Sequence, residues 1–431
     1  MLIEIKNRSD FKAITDDSTK CSENIAFILT NQNKKYLEDA KKSSTCKVLT
    51  PNECLDILEI RDKIKIIGIT GTNGKTTTAA AIYSILLDLN KKVAFQGTRG
   101  CFINETKHEN KSLTTPPILQ TMANIKQAYE EGCEYFVMEV SSHAIEQKRI
   151  EGLEFALKIF TNVTQDHLDY HGSIDAYIAV KSSFFDDETP KLINKDDGKI
   201  RFNRKNCMTY GADNPSTYKV TAYSLTNGVS AVIQKFDKMY DFHSPLHGFF
   251  NLYNMVAAIS AVDMLEVAPM AEICEAVESF GGVEGRMEVV SSDPLVIVDF
   301  AHTPDGMDKV LDALKDRNIV VVFGAGGDRD RNKRPQMGNI ANRYAKKVIV
   351  TSDNPRSENP NEIIQDIVAG IKDKSSLHVE VDRKKAIKYA LQIKDENEIV
   401  VILGKGDETY QEILGKKIPF DDREVVRTLL V

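Results

Sequence analysis

Gly68-Ile-Thr-Gly-Thr-Asn-Gly-Lys-Thr-Thr-Thr78 follows a run of β-branched residues (Ile64, Ile66, Ile67) and precedes the helix-patterned stretch Ala79 to Leu89. Strand, glycine loop and helix in that order form the context of a phosphate loop. Backbone N–H groups at the helix start face an anion, a lysine reaches the terminal phosphates, and the next hydroxyl is placed to ligate Mg²⁺. Gly71, Thr72, Asn73, Gly74, Lys75, Thr76 and Thr77 are therefore the expected nucleoside-triphosphate-binding residues, with Lys75 and Thr76 in those two roles. The spacing is a variant, because Ile69 occupies the place of the first glycine in the common pattern and Gly68 comes one residue early.

Working outward, strands alternate with amphipathic helices on the carboxy-terminal side of this loop. Lys92 to Gln96, Tyr135 to Val140, Lys158 to Asn162 and Lys191 to Asn194 read as buried strands, which predicts a largely parallel sheet wrapped by helices. The polar, Tyr- and Thr-rich stretch 200–243 predicts short antiparallel strands at its edge, and His247 to Leu265 a long helix. Three glycines within Gly281 to Gly285 predict a hinge. Beyond it, Leu295 to Phe300, Ile319 to Gly324, Lys347 to Thr351, Leu377 to Val381 and Glu398 to Leu403 predict a second doubly wound unit. Residues 1–62 read as a small α/β unit, so the expected division is 1–62, 63–284 and 285–431. That agrees with a length of 431 residues, more than one hydrophobic core usually supports.

Composition excludes several classes. A net charge of −7 argues against a nucleic-acid partner, and no apolar run is long enough to span a bilayer. Glu4 and Lys6 stand where a signal peptide needs an apolar core, so a cytoplasmic protein is expected. Seven cysteines without any C-x-x-C pair are expected to be reduced thiols.

Two further clusters carry chemistry. In Met138-Glu-Val-Ser-Ser-His143 the carboxylate of Glu139 ends a strand and is placed to hold Mg²⁺. In Asp166-His-Leu-Asp-Tyr-His171, His167 and His171 have the i, i+4 spacing of a zinc pair. Leu168 stands where a metalloprotease carries its glutamate, and no third ligand matches. His167 is expected to face a phosphate-bound metal, while His143 and His171 read as structural.

The ordered set T-G-T-N-G-K-T, M-E-V-S-S-H, D-H-L-D-Y-H-G, G-x-x-N-x-x-N, G-R-M-E and D-F-A-H-T-P-D resembles the Mur ligases, cytoplasmic ATP-dependent enzymes of peptidoglycan stem-peptide synthesis. The resemblance runs from about residue 63 to the carboxy terminus. It implies three α/β domains: a small amino-terminal UDP-sugar-binding domain, a central phosphate-loop ATPase-like domain with a parallel sheet, and a carboxy-terminal Rossmann-like domain that binds the amino acid. It also implies ATP and Mg²⁺ as cofactors.

Asp353-Asn-Pro-Arg356, with Gly324-Ala-Gly-Gly-Asp-Arg-Asp330, is similar to the branch that adds meso-2,6-diaminopimelate to UDP-N-acetylmuramoyl-L-alanyl-D-glutamate. An arginine fork would distinguish that diamino acid from lysine by its distal carboxylate.

By resemblance, Arg329, Asp353, Asn354, Pro355, Arg356, Gly404 and Glu408 bind the diamino acid. Asp407 stands where these enzymes usually carry histidine. Asn251, Arg286 and Asp299 resemble the adenine, phosphate and ribose contacts, with Asn254 paired to Asn251. Thr114, Thr115, Ser142, Gln147 and Arg149 resemble the sugar-nucleotide contacts, and Ser18 a uridine contact, although the usual Asp-Ser-Arg there reads Asp-Ser-Thr. Lys181 matches a lysine carried as an N-carbamate, which with Thr76, Glu139 and His167 would organise the metal. Taken alone, Lys181 reads as a solvated helix lysine.

Lys75, Glu139, His167 and Lys181 are the expected catalytic set, in a monomer. Folylpolyglutamate synthase is the nearest enzyme alternative, and a phosphate-loop ATPase with no amino acid acceptor is the alternative from another class.

Overall fold

The computed structural model describes residues 1–5, 8–42, 46–109 and 113–430; Lys6 of the amino-terminal reading lies outside them. Among the described residues the chain builds a four-stranded amino-terminal sheet, an eleven-stranded central sheet, a six-stranded carboxy-terminal sheet and a two-stranded hairpin.

The strand before the glycine loop, Lys65–Thr70, lies deep in the central sheet between Phe155–Phe160 and Tyr135–Glu139, parallel to both. Period-two alternation decides which core each residue joins. Ile67, Ile69 and Val137 enter a core with the long helix Phe249–Met264, while Ile66, Phe136 and Met138 enter the core on the opposite face. That second core also takes in Ile14, Ala26, Ile28 and Leu49 of the amino-terminal sheet, so the first unit is welded to the second by shared burial.

The expected strands are present with small shifts, as Val93–Gly97, Tyr135–Glu139, Phe155–Phe160 and Lys191–Asn194. The stretch 200–243 differs from expectation in one respect. Cys207–Gly211 pairs parallel with Lys191–Asn194, and only from Tyr218–Ser224 through Val229–Lys235 to Lys238–Ser244 do the strands run antiparallel. At the other edge, Gly100–Ile103 and Thr106–Glu109 add an antiparallel meander that the sequence pattern did not announce.

The carboxy-terminal sheet has the order Glu288–Ser292, Leu295–Asp299, Glu398–Leu403, Asn318–Phe323, Lys347–Val350, Leu377–Val379, parallel except for its first strand. Ile297, Val321 and Val401 face one core, and Val298, Val320, Val322, Val400 and Ile402 the other. In a parallel sheet all strand ends of one polarity share an edge, and in open α/β sheets ligands bind outside the carboxyl ends. Arg329, Asp353, Arg356, Gly404 and Glu408 all follow such ends.

Candidate functional site

The glycine loop is anchored before its side chains do anything. Thr72 N donates to Asn162 O (2.8 Å), Asn73 N to Asn162 Oδ1 (3.0 Å), and Thr161 Oγ1 to Asn73 O (2.7 Å). Gly74 has φ +84° at the start of helix Lys75–Asp88, and a Cβ there would overlap Asn254 Oδ1. Only glycine satisfies both constraints. Lys75 Nζ lies on the loop carbonyls of Gly71 (2.8 Å) and Thr72 (2.9 Å), and burial lowers its pKa.

Thr76 Oγ1 donates to Glu139 Oε2 at 2.9 Å, while Thr98 N donates to Glu139 Oε1 at 2.9 Å. Two oxygen donors expected at a metal therefore meet. His167 has φ +54° and stands beside Asp166, with its Nε2 3.4 Å from Oδ2; burial pushes its pKa down to about 3, leaving a neutral ring. Burial acts against ionisation of Asp166, but its pKa stays below the ordinary carboxylate value, with the charge of Lys333 and the His167 backbone N–H, which donates to Oδ1 at 2.9 Å, favouring the charged form. Among the described residues no group of three or more His, Cys, Asp or Glu is arranged to cage a metal. His171 Nε2 shares a hydrogen bond with Ser142 Oγ (3.0 Å), and Nδ1 lies 3.3 Å from Glu146.

Lys181 departs furthest from its reading as a solvated side chain. It is 1% exposed, donates to Gly71 O (2.8 Å) and Thr70 Oγ1 (3.3 Å), and burial together with the charge of Lys75 drives its pKa well below the ordinary lysine value.

Lys75, Thr76, Glu139, His167, Asn251, Asn254, Arg286 and Asp299 line one cavity of about 610 Å³ between the central and carboxy-terminal domains. Asn254 Nδ2 donates to Asn251 Oδ1 (2.9 Å), and Asn251 Nδ2 to His247 O (2.8 Å). Arg286 lies over the Phe300 ring at 4.2 Å. Asp299 accepts from Met287 N and Ala301 N, both at 2.7 Å, and burial raises its pKa.

Thr115, Gln147 and Arg149 form a connected group. Arg149 Nη1 donates to Thr115 O (3.0 Å), Nε to Gln147 Oε1 (3.0 Å), and Thr115 Oγ1 to Glu139 O (2.9 Å). Thr114 Oγ1 lies 3.1 Å from Thr98 Oγ1. The amino-terminal unit enters this group through Gln32, whose Nε2 donates to Gln147 Oε1 at 3.2 Å, a residue no motif flags. Ser18 begins a short 3-10 turn capped by Asp17 and half-buried.

The third corner is denser than its motif suggests. Asn354 Nδ2 donates to Glu408 Oε2 (2.8 Å), while Asn354 Oδ1 accepts from Lys405 Nζ (3.2 Å) and Glu412 N (2.9 Å). Lys405 Nζ also donates to Glu408 Oε2 (2.9 Å). Asp353 is buried, which opposes its charge, but Lys405 and Arg383 hold its pKa below the ordinary value. Arg356 has φ +51°; its Nη1 donates to Gly327 O (2.6 Å) and its Nε lies 3.5 Å from Glu412 Oε2. Pro355 packs its carbonyl against Gly327, where any Cβ would overlap it. Arg329 is 43% exposed and reaches to 3.9 Å from Asp169 of the central domain. The backbone of this corner touches the cavity, since Gly404 N donates to Asp299 O (3.1 Å). Lys405, Arg383, Glu412 and the hairpin Tyr410–Ile413 and Lys416–Pro419 are supporting parts that sequence reading missed.

Two family models match the chain: a Mur ligase middle domain over residues 69–262 and a Mur ligase, glutamate ligase domain over residues 285–406. A Wolinella succinogenes protein named UDP-N-acetylmuramoyl-L-alanyl-D-glutamate--2,6-diaminopimelate ligase is 53% identical, covering 98% of this chain and 97% of the relative. A Helicobacter hepaticus protein of the same name is 50% identical, covering 94% and 89%. A solved structure bearing that enzyme name is 31% identical with a TM-score of 0.68 over 99% of this chain and 97% of the other. The Mycobacterium tuberculosis folylpolyglutamate synthase complexed with ADP and AMPPCP shares the fold at 17% identity, with a TM-score of 0.68 over 88% and 93%.

Proposed function

This chain belongs to the Mur ligase family, and from that premise we propose that it joins meso-2,6-diaminopimelate to UDP-N-acetylmuramoyl-L-alanyl-D-glutamate at the expense of ATP. The observation that carries this reading is the shared strand edge: the Asp299 end of the nucleotide cavity and the Gly404 end of the Asp353–Arg356 corner are hydrogen-bonded to one another. That edge lines the cavity whose other wall is the glycine loop of the central domain, where an activated carboxyl and an incoming amine would meet.

A carboxylate is a poor electrophile until one oxygen becomes a leaving group. The γ-carboxylate of the D-glutamyl residue attacks the terminal phosphorus of ATP, ADP leaves, and an acyl phosphate forms. The amine of diaminopimelate then attacks the acyl carbon through a tetrahedral intermediate; phosphate departs and the amide remains. Lys75 is placed to leave the carbonyls of Gly71 and Thr72 for the phosphate oxygens, neutralising charge that grows during transfer. Thr115, Gln147 and Arg149, with Gln32, would orient the sugar nucleotide. Ser142, Thr114 and Ser18 complete that set as proposals. Arg356 would take the distal carboxylate, and Glu408, with Asn354 and Asp353 behind it, the ammonium beside it.

The donor chemistry fits Mg²⁺. Thr76 and Glu139 supply hard oxygens, neutral His167 lines the same cavity, and among the described residues no closed protein cage competes with phosphate and water for the remaining positions. Bound there, the ion would supply positive charge to the phosphates. Lys181, a buried amine poor in protons, can add CO₂ at nitrogen with loss of one proton, giving the anionic carbamate oxygen such a site would use.

The division into 1–62, 63–284 and 285–431 is supported by sheets whose strands stay within those bounds. A cytoplasmic reaction carried out by a monomer belongs to the same proposal. The test is phosphate release with each substrate omitted in turn. Release only when ATP, the UDP-sugar dipeptide and diaminopimelate are all present supports the reading; release with ATP alone overturns it.

A further inference from the structure

Asp305 lies in the first turn of helix Pro304–Asp312, whose amino end is capped by Thr303, and belongs to the carboxy-terminal domain. One of its oxygens, Oδ2, accepts from Asn73 Nδ2 at 2.6 Å, from Thr164 Oγ1 at 3.2 Å and from Lys309 Nζ at 2.9 Å. The first two donors belong to the central domain, and Asn73 immediately precedes Gly74 and Lys75. The backbone N–H and C=O of Asn73 are already committed to Asn162 and Thr161. Its side chain is thus the movable part, and it points across the domain boundary. The other polar links of this kind near the loop are longer, at 3.3 Å for Gln165 to Asp330 and 3.9 Å for Arg329 to Asp169.

We propose that Asp305 is a positioning residue that makes the geometry of the glycine loop depend on closure of the carboxy-terminal domain. The proposal rests on the reading of Gly71 to Thr77 as the phosphate-binding loop. When the domains are together, Asp305 fixes the Asn73 side chain at the cavity wall and holds the turn that aims Lys75. When they part, Asn73 loses its acceptor and the loop loses its outer brace. Lys309, one helical turn on, donates to the same Oδ2 from within its own helix. Phosphoryl transfer would then be efficient only after the domain carrying the diamino acid has docked, which limits ATP loss to water.

The test is a double-mutant cycle on the full chain with Asp305→Ala, Asn73→Ala and both together, read as kcat and as KM for each substrate. Asp305→Ala should lower kcat about 5-fold to 30-fold, the range for one charge-assisted hydrogen bond at a partly exposed site. ADP affinity measured by calorimetry should stay near wild type. The double variant should lose little more than Asp305→Ala alone, because one interaction is deleted twice. Asp305→Asn, which keeps a carbonyl acceptor without the charge, should fall between wild type and Asp305→Ala, and it carries the test if the alanine variant does not fold.

Solution scattering with ADP provides a readout independent of the amino acid substrate: Asp305→Ala should be more extended than wild type. Additive losses in the cycle, or unchanged kcat with unchanged scattering, overturn the proposal. A wild-type protein that fails to turn over the named substrates sinks the proposed function instead, and the scattering comparison still decides the role of Asp305.

Discussion

Replacing Arg356 by alanine should change which diamino acid the enzyme accepts more than how fast it works. The guanidinium is three-quarters buried, with 24% side-chain exposure, and two of its edges are occupied: Nη1 by Gly327 O, and Nε facing Glu412. Nη2 remains for a substrate carboxylate. Deleting one partner of a desolvated charge pair costs about 2 to 5 kcal/mol. The nearby Glu412 carboxylate already offsets part of the positive field, which places this site toward the lower end, about 2 to 3 kcal/mol. At 1.4 kcal/mol per decade this is roughly a 30-fold to 140-fold fall in kcat/KM for meso-diaminopimelate.

L-Lysine lacks the distal carboxylate and should change far less. Because alanine also strips Gly327 O of its donor, Arg356→Lys serves as the companion: it keeps a cation but not the fork, and should lie between. The assay is phosphate release against each amino acid in wild type and both variants. If the ratio of the two kcat/KM values does not move, Arg356 is not the selector, and the case for a diaminopimelate-specific corner loses its physical basis.

The remaining expectations follow from single sites. Lys75→Ala should fold with an unchanged circular dichroism spectrum yet show no measurable turnover; near wild-type activity in a folded sample would refute its phosphate role. Lys181 should give a carbamate carbon resonance after incubation with isotope-labelled bicarbonate, absent in Lys181→Ala, and activity should fall when CO₂ is stripped; a bare amine in a fully active enzyme would refute this. His167, whose folded pKa of about 3 lies below its unfolded value of about 6.5, binds fewer protons in the folded than the unfolded state between those limits. Its contribution to stability is therefore complete above about pH 6.5 and is lost as pH falls toward 3. The Tm of His167→Asn should decline less steeply across that window than the wild type does, and parallel declines would contradict the burial argument.

Sequence carried the fold because its signals are local. β-branched runs ending in glycine or polar loops located the central strands of both large sheets to within a few residues. The antiparallel edge Gly100–Ile103 and Thr106–Glu109 was missed because strands this short and half polar lack a period to read. Lys181 was misread in isolation for a related reason. Helix Ile174–Ser183 has apolar residues on several sides, so no stripe says which face turns inward, and only the packing of that helix against the loop buries the amine. Gln32, Asp305 and Glu412 were illegible on other grounds: each acts through a partner more than fifty residues away, and nothing in its own neighbourhood marks it. The two donors to Asn354 Oδ1, Lys405 Nζ and Glu412 N, show the same limit, since a four-residue motif cannot reveal the lysine and hairpin that orient it.

Glu139 occupies both ends of one short relay. Its side chain receives Thr76 of the glycine loop and the Thr98 backbone, while its carbonyl receives Thr115, which in turn accepts from Ser141 N and offers its own carbonyl to Arg149. On the proposed assignment, two substrates would lean on a single residue from opposite sides. In steady-state terms, the Michaelis constants for ATP and for the sugar nucleotide would then not be independent parameters: substitutions at Thr98 or Thr115 would register in both columns of a kinetic table. An inhibitor that displaced Thr115 would look, by its inhibition pattern against ATP, as though it had touched the nucleotide itself.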